Sequence, residues 1–237
     1  MKIELILTAE EIEEKKIKNR VVAAIDTFRA TTTIVTALEN GAREVIPVVS
    51  IPKAVEYQSQ NINDDIITAG EREGQKVAEL DLGNSPLSFT ESIVKNKQVV
   101  LTTTNGTEML ANLNQAKKVV IAALINLGAV AKEVESADEL ILCCAGSQGR
   151  FSLEDFITAG GLIYRLKDKG IKLELSDLSL VAYQSYLINS NKLLATLSQS
   201  ENGDRLISLG KQSDVNYALQ KDLYSITPIY CQGIIQS

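Results

Sequence analysis

The sequence predicts an α/β protein of three layers, α/β/α, on a largely parallel or mixed sheet, ending in a helical C-terminal third. Three observations predict it. Through residue 150, short β-rich runs alternate with helical patterns, the rhythm of strands joined by crossover helices. Some of those runs are continuously apolar, as strands buried on both faces are. From Leu178 to Gln220 the pattern turns mainly helical.

In chain order, KIELILT at 2–8 alternates like a strand, and VVAAID at 21–26 is a buried one. Ala30 to Asn40 reads as a helix stopped by Gly41. EVIPVV at 44–49 is the next strand. Ser50 is placed to cap a helix over 51–60, with Pro52 tolerated in its first turn. DIITAGE at 65–71 is a strand entering a charged loop, and Ser85 before Pro86 reads as a further N-cap. Strands fit 98–103, 118–123 and 139–144, and helices fit 106–114, 127–136 and 153–169. The helical third breaks near Asn202-Gly203 and at Gly210, and ITPIYC at 226–231 reads as a last strand.

No Ser/Gly/Pro linker interrupts the chain, so 1–237 reads as one domain, with 1–97 and 98–237 as the lobes if it divides. The stretches beginning VVAAID and QVVLTT share one layout: strand, Thr-rich turn, helix, strand. Aligning Thr31 with Thr107 pairs Arg29 with Asn105 and Asp26 with Thr102. These are two related β-α halves by duplication, or the ordinary likeness of two β-α-β units.

Composition narrows the chemistry. Lys plus Arg is 24 against 30 for Asp plus Glu, a net charge of −6, the opposite of a nucleic-acid footprint. There is no histidine, which excludes a Ser-His-Asp triad, a Cys-His pair and His-ligated zinc. What remains is carboxylates, cations, hydroxyls, thiols and amides. Oxygen-ligated Mg²⁺ suits that inventory. Three cysteines, two of them adjacent, and no secretory-type N-terminal run point to a reduced, cytoplasmic protein. No run approaches the roughly 20 apolar residues of a membrane span.

Four turns at predicted strand ends, where ligands bind in parallel sheets, hold the candidate chemistry. In Asp26–Thr33 a carboxylate closes a strand, Arg29 can fork onto two anion oxygens, and Thr31 opens a helix. The bland alternative pairs Asp26 with Arg29 and leaves a Thr as helix cap. In Thr102–Thr107, Gly106 lets backbone approach closely while Thr104, Asn105 and Thr107 offer donors. The third region joins Glu71 and Arg72 of a charged turn to Asn84 and Ser85 of DLGNSP. The fourth runs from Cys143 to Asp155. Cys144 and Arg150 have the spacing of a cysteine-phosphatase loop, whereas Ser152 and Asp155 resemble a capping box and Glu154 or Asp155 would otherwise turn to a cation.

Together IDTFRATTTIVTALENGA, DLGNSP, TTTNGT, CAGSQGRFSLED and, more loosely, ITPIY resemble the 2-phosphosulfolactate phosphatase family, in order along nearly the whole chain. The resemblance implies an Mg²⁺-dependent phosphatase of α/β fold that hydrolyses 2-phospho-3-sulfolactate, or a related phosphorylated 2-hydroxy acid, to the alcohol and phosphate. In methanogens that step leads toward coenzyme M. On this reading Asp26, Arg29 and Glu71 are catalytic, and Asp26, Glu71, Asp155 and, in reserve, Glu154 hold the metal. Thr31, Arg72, Asn84, Ser85, Thr104, Asn105, Gly106, Thr107, Gly146 and Arg150 bind the polyanion. Asp214 or Asp222 would contribute from the helical third. The rivals are a non-catalytic anion-binding protein and a metal-independent phosphatase using Cys144 and Arg150. A homodimer is the default for such an enzyme.

Overall fold

A computed structural model describes residues 1–61 and 65–237. Its elements, in order, are β1 (Lys2–Ile6), α1 (Glu14–Ile17), β2 (Val21–Ile25), α2 (Ala30–Glu39), β3 (Glu44–Pro47), α3 (Ile51–Gln60), β4 (Ile66–Arg72) and β5 (Gln75–Lys76). Then follow α4 (Glu91–Val94), β6 (Gln98–Thr102), α5 (Gly106–Asn112), β7 (Lys118–Ala122), α6 (Leu127–Val134), β8 (Glu139–Cys144) and α7 (Leu153–Asp168). The last are β9 (Glu174–Leu175), α8 (Asp177–Asn189), α9 (Leu193–Leu197), α10 (Glu201–Ser208), α11 (Gln212–Ala218), β10 (Ile229–Cys231) and β11 (Ile234–Gln236).

The strands form one sheet in the order β5-β4-β6-β3-β11-β10-β7-β2-β8-β1-β9. Two parallel blocks, β4-β6-β3 and β7-β2-β8-β1-β9, are joined by the antiparallel hairpin β10–β11. The boundary at 97/98 runs through this order: β6 lies between β4 and β3, and β2 between β7 and β8. Three antiparallel steps separate β3 from β7, so the two blocks run in opposite senses. In a flat sheet their carboxyl ends would face opposite edges. They meet here, and the sheet must therefore twist strongly between the blocks.

Alternation along the inner strands feeds two cores. Ala23, Ile25, Leu140 and Leu142 face α6, α7 and the helical third. Val22, Ala24, Ile141 and Cys143 face α2 and α5. Each fully buried Val, Leu or Ile contributes roughly 1.5–3 kcal/mol, which holds three layers together as predicted. Helix α2 carries the chain from β2 in one block to β3 in the other, and α5 carries it back from β6 to β7.

Local expectations fared unevenly. Ser50 caps α3, accepting from Lys53 N–H at 3.4 Å. Asn202 and Gly203 do not break the helical third; they lie in the first turn of α10, and the break is at 198–200. Gly203 is there because a Cβ would stand 1.8 Å from the Leu197 carbonyl oxygen. The closing strand proves to be half of a hairpin turning through Gln232 and Gly233, both at positive φ, as hairpin turns of primed type require. Among the described residues no helix is long and apolar enough to cross a membrane.

Candidate active site

The carboxyl ends of β2 and β6 open into one cleft. It is lined by Asp26, Phe28, Arg29, Glu71, Gly74, Asn84, Thr103, Thr104, Asn105, Ser147, Gln148, Arg205 and Leu206. Residues nearly 180 apart in sequence therefore share one wall.

Asp26 ends β2 and is buried. Its Oδ1 accepts from the Ala30 N–H at 3.2 Å. The Thr31 hydroxyl accepts from the Asp26 N–H at 3.0 Å and donates to the Asp26 carbonyl at 2.9 Å, so Thr31 shapes the turn from behind. Burial pushes the Asp26 carboxyl up to about 7, and the nearby charges of Glu71 and Glu154 add to the rise against the Ala30 amide and Arg29. Gly106 is required beside it, because a Cβ there would lie 2.5 Å from Asp26 Oδ2 and 2.5 Å from Ala30 Cβ. The two helix N-termini abut at this point.

The β6 turn repeats the device. The Thr107 hydroxyl accepts from the Thr103 N–H at 3.2 Å and donates to the Thr103 carbonyl at 2.9 Å, and the Thr103 hydroxyl accepts from the Thr107 N–H at 3.2 Å. Structurally, then, Thr107 matches Thr31 and Thr103 matches Asp26. The sequence alignment sets Thr102 opposite Asp26, one residue off, because the first turn holds one residue more. Thr104 and Asn105 continue into the cleft, Asn105 Oδ1 accepting from the Gln148 N–H at 3.0 Å.

Glu71 lies at the end of β4 with both oxygens engaged. Oε1 accepts from the Thr104 N–H at 2.9 Å and its hydroxyl at 3.0 Å, and Oε2 from the Gly74 N–H at 2.7 Å. Arg29 does not pair with Asp26. Its Nη1 donates to Asp214 Oδ2 at 2.6 Å and its Nη2 to the Gly74 carbonyl at 2.9 Å. Asp214 also accepts from the Ser85 hydroxyl at 2.6 Å. Ser85 thus closes the helical third over the cleft; it makes no side-chain cap to the turn at Pro86. Asn84 Oδ1 is buried with no hydrogen-bond partner among the described residues.

The fourth segment supplies two buried acids. Asp155 accepts from the Thr27 N–H at 2.7 Å and the Gly146 N–H at 3.2 Å, so it ties β2 to the 146 turn. It does not complete a capping box with Ser152, whose hydroxyl makes no cap bond. Burial and the neighbouring Asp26 and Glu154 hold its carboxyl well above the usual range. Glu154 accepts from Asn202 Nδ2 at 2.6 Å and the Ser200 hydroxyl at 3.1 Å. Arg72 reaches the Thr102 hydroxyl and the Glu71 and Thr102 carbonyls and lies outside the cleft lining. Arg150 is exposed and pairs with Glu201 at 3.3 Å. Cys144 is buried, and burial with the adjacent Asp155 pushes its thiol well up, the reverse of what a thiolate nucleophile needs.

Arg205, Asn202 and Leu206 were not legible as site residues. Arg205 Nη2 donates to Asn202 Oδ1 at 3.0 Å and forms no ion pair among the described residues. It is a cation held at the cleft by a neutral partner, on a helix whose sequence carries no ligand motif.

The sequence profile described as 2-phosphosulpholactate phosphatase matches residues 6–233. The chain belongs to that family. Among its relatives, a probable 2-phosphosulfolactate phosphatase of Clostridium beijerinckii is 39% identical over 99% of both chains. One from Clostridium tetani is 40% identical over the full length of both, and one from Caldanaerobacter subterraneus is 37% identical over 97% of this chain and 95% of its own. Family membership agrees with a cleft built from hydroxyls, amides, carboxylates and guanidinium groups, with little apolar wall.

Among the described residues no three acids or thiols are grouped to hold a metal ion. Every oxygen of Glu71 and Asp155 has a protein donor; Glu154 Oε1 has Asn202, and its Oε2 shares the Ser200 hydroxyl with the Leu197 carbonyl. Two acceptors of cleft-lining residues that receive no hydrogen bond from the described residues are Asp26 Oδ2 and the buried Asn84 Oδ1. Such an all-oxygen pair fits Mg²⁺, which binds through one or two carboxylates and completes its shell with water and substrate phosphate.

Proposed function

We propose that the protein hydrolyses the phosphate monoester of 2-phosphosulfolactate or a related phosphorylated 2-hydroxy acid, with Mg²⁺ as its cofactor. The observation that carries this reading is Asp26: a buried carboxylate with one oxygen unbonded among the described residues, in a cleft lined by hydroxyl, amide and guanidinium groups of a chain from this family. Asp26 Oδ2 and Asn84 Oδ1 would hold the ion. The ion supplies neutralisation of charge where several anionic groups meet.

The chain's own groups do the rest. The backbone amides of Asn105 and Gly106, at the N-terminus of α5, cradle the phosphate, while Glu71 holds the Thr104 N–H and hydroxyl and so fixes the turn. Arg205 takes the sulfonate or carboxylate end, the one cleft cation whose charge no described acid offsets. Arg29 stiffens the floor through Asp214 and Gly74. Without the ion, burial holds the Asp26 carboxyl up to about 7; a bound cation would favour its ionised form, so the role of Asp26 is to hold the ion beside the phosphate. The three free cysteines fit a reducing cytoplasm.

Phosphate release from 2-phosphosulfolactate and phospholactate, with Mg²⁺ and with EDTA, tests the reading. Release that stops with EDTA and survives thiol alkylation is expected. No release under any condition would favour an anion-binding protein, and EDTA-insensitive release lost on alkylation would favour Cys144. A rapidly quenched single turnover should leave no phosphoryl group on the protein; a borohydride-trapped phospho-Asp26 would make it the nucleophile instead.

A further inference from the structure

Helix α8 is fixed to the molecule through one face. Ala182 and Tyr186 are buried in the core, and at Gly160 of α7 a Cβ would stand 2.0 Å from the Ala182 carbonyl oxygen, so the two helices touch backbone to backbone. The outward face has no such cover. Leu180, Val181, Leu187 and Ile188 are 42%, 49%, 44% and 69% exposed. Their spacing puts them on one stripe, in a place where a helix of a monomer carries polar residues.

The stripe reads alike from both ends. About Gln184, Leu180 mirrors Ile188 and Val181 mirrors Leu187. Asp177 stands at one end and Lys192 just past the other, both exposed and neither in an ion pair among the described residues. A two-fold interface needs a patch complementary to itself. Two antiparallel copies of this helix would set Leu180 on Ile188, Val181 on Leu187 and Asp177 near Lys192 of the second copy, with the two Gln184 amides at the axis. Leu178 and Leu194, exposed at either end, would widen the contact.

We propose that α8 is a dimer interface, occupied by α8 of a second copy of this chain in antiparallel register. The charges favour a copy over other occupants: an acid at one end and a cation at the other match the same helix reversed, while Lys167 and Lys221, which also reach α8, are held by the Tyr183 ring and the Ser190 carbonyl. The inference is independent of the catalytic reading.

Sedimentation velocity on the full chain tests it. Wild type should sediment with twice the mass of one chain. Ile188→Asp should weaken association by roughly 100-fold or more while its circular-dichroism melt stays at the wild-type temperature, since that side chain is mostly exposed. Asp177→Lys and Lys192→Asp should each weaken the dimer, and the double variant should recover it. A wild type that stays monomeric at high micromolar concentration overturns the proposal. So does a dimer indifferent to Ile188→Asp, or a double reversal no better than the single ones.

Discussion

The crossovers after β2 and after β6 are built alike and differ in charge. In each, a threonine hydroxyl on the first helical turn clamps the N–H and carbonyl of the residue that ends the strand. In each, that residue's side chain accepts from a first-turn amide. At the β2 turn it is Asp26; at the β6 turn it is Thr103. A buried carboxylate among other acids costs stability, whereas a hydroxyl there costs little. The expensive version is kept on one side only, and the neutral version faces it across Ala30 and Gly106. One scaffold thus supplies a buried carboxylate and an anion cradle by one side-chain difference.

The largest effect expected from breaking this contrast is at Asp26. Asp26→Asn should lower kcat by on the order of 10³-fold or more in the phosphate-release assay and leave the fold intact. It should also change the pH dependence of stability. The folded protein holds the Asp26 proton up to about 7, whereas the unfolded chain releases it near about 4. Folding is therefore favoured below that lower value, and stability falls as pH rises from about 4 to about 7, by up to roughly 4 kcal/mol for this group. Asp26→Asn should flatten much of that slope in urea titrations without divalent ion, leaving the part due to Asp155. An unchanged slope would mean that the carboxylate is not buried as described.

Next is the buried pair that braces the cleft. Arg29 and Asp214 are both almost fully covered, so Asp214→Ala should destabilise by about 3–5 kcal/mol by leaving Arg29 unpaired. Chemical denaturation measures this; a loss of activity with no loss of stability would place Asp214 in catalysis instead. Gly106→Ala, which pushes on Asp26 Oδ2 and Ala30 where the crossovers meet, should cost about 1–3 kcal/mol together with a fall in kcat. Thr31→Val and Thr107→Val sharpen the comparison most finely. Thr31→Val leaves the buried Asp26 N–H without its partner while the Asp26 carbonyl keeps the Thr31 N–H; Thr107→Val leaves both the N–H and the carbonyl of Thr103, so it should cost the more, within about 1–3 kcal/mol per orphaned group. Only Thr31→Val should change the pH profile. Smallest of all, Cys144→Ala should leave turnover close to wild type.

The sequence made the individual turns legible because each follows a strand whose apolar run is unmistakable: VVAAI before Asp26, QVVLT before the TTNGT turn, ELILCC before Gly146. Residue type at a strand end then speaks for itself. Arg72 and Arg150 show where that reasoning stops. Both stand in the right loops, but one is held by the Thr102 carbonyl and hydroxyl and the other by Glu201 at the surface, and local sequence cannot say which way a long side chain turns. Arg205 was hidden for the opposite reason, being part of an ordinary amphipathic helix.

By itself, then, the amino-acid order determined the three-layer α/β class, the places of the buried strands and the four turns that carry polar chemistry, since hydrophobic periodicity and turn residues act over a few positions. Which turns face one another was decided only in three dimensions. The hairpin near the C-terminus reverses the sense of one block against the other, and the twist of the sheet brings Asp26 to Gly106, while the helical third places Asp214 and Arg205 at the same cleft. Those contacts depend on pairings between segments far apart in the chain, whose register no local pattern encodes.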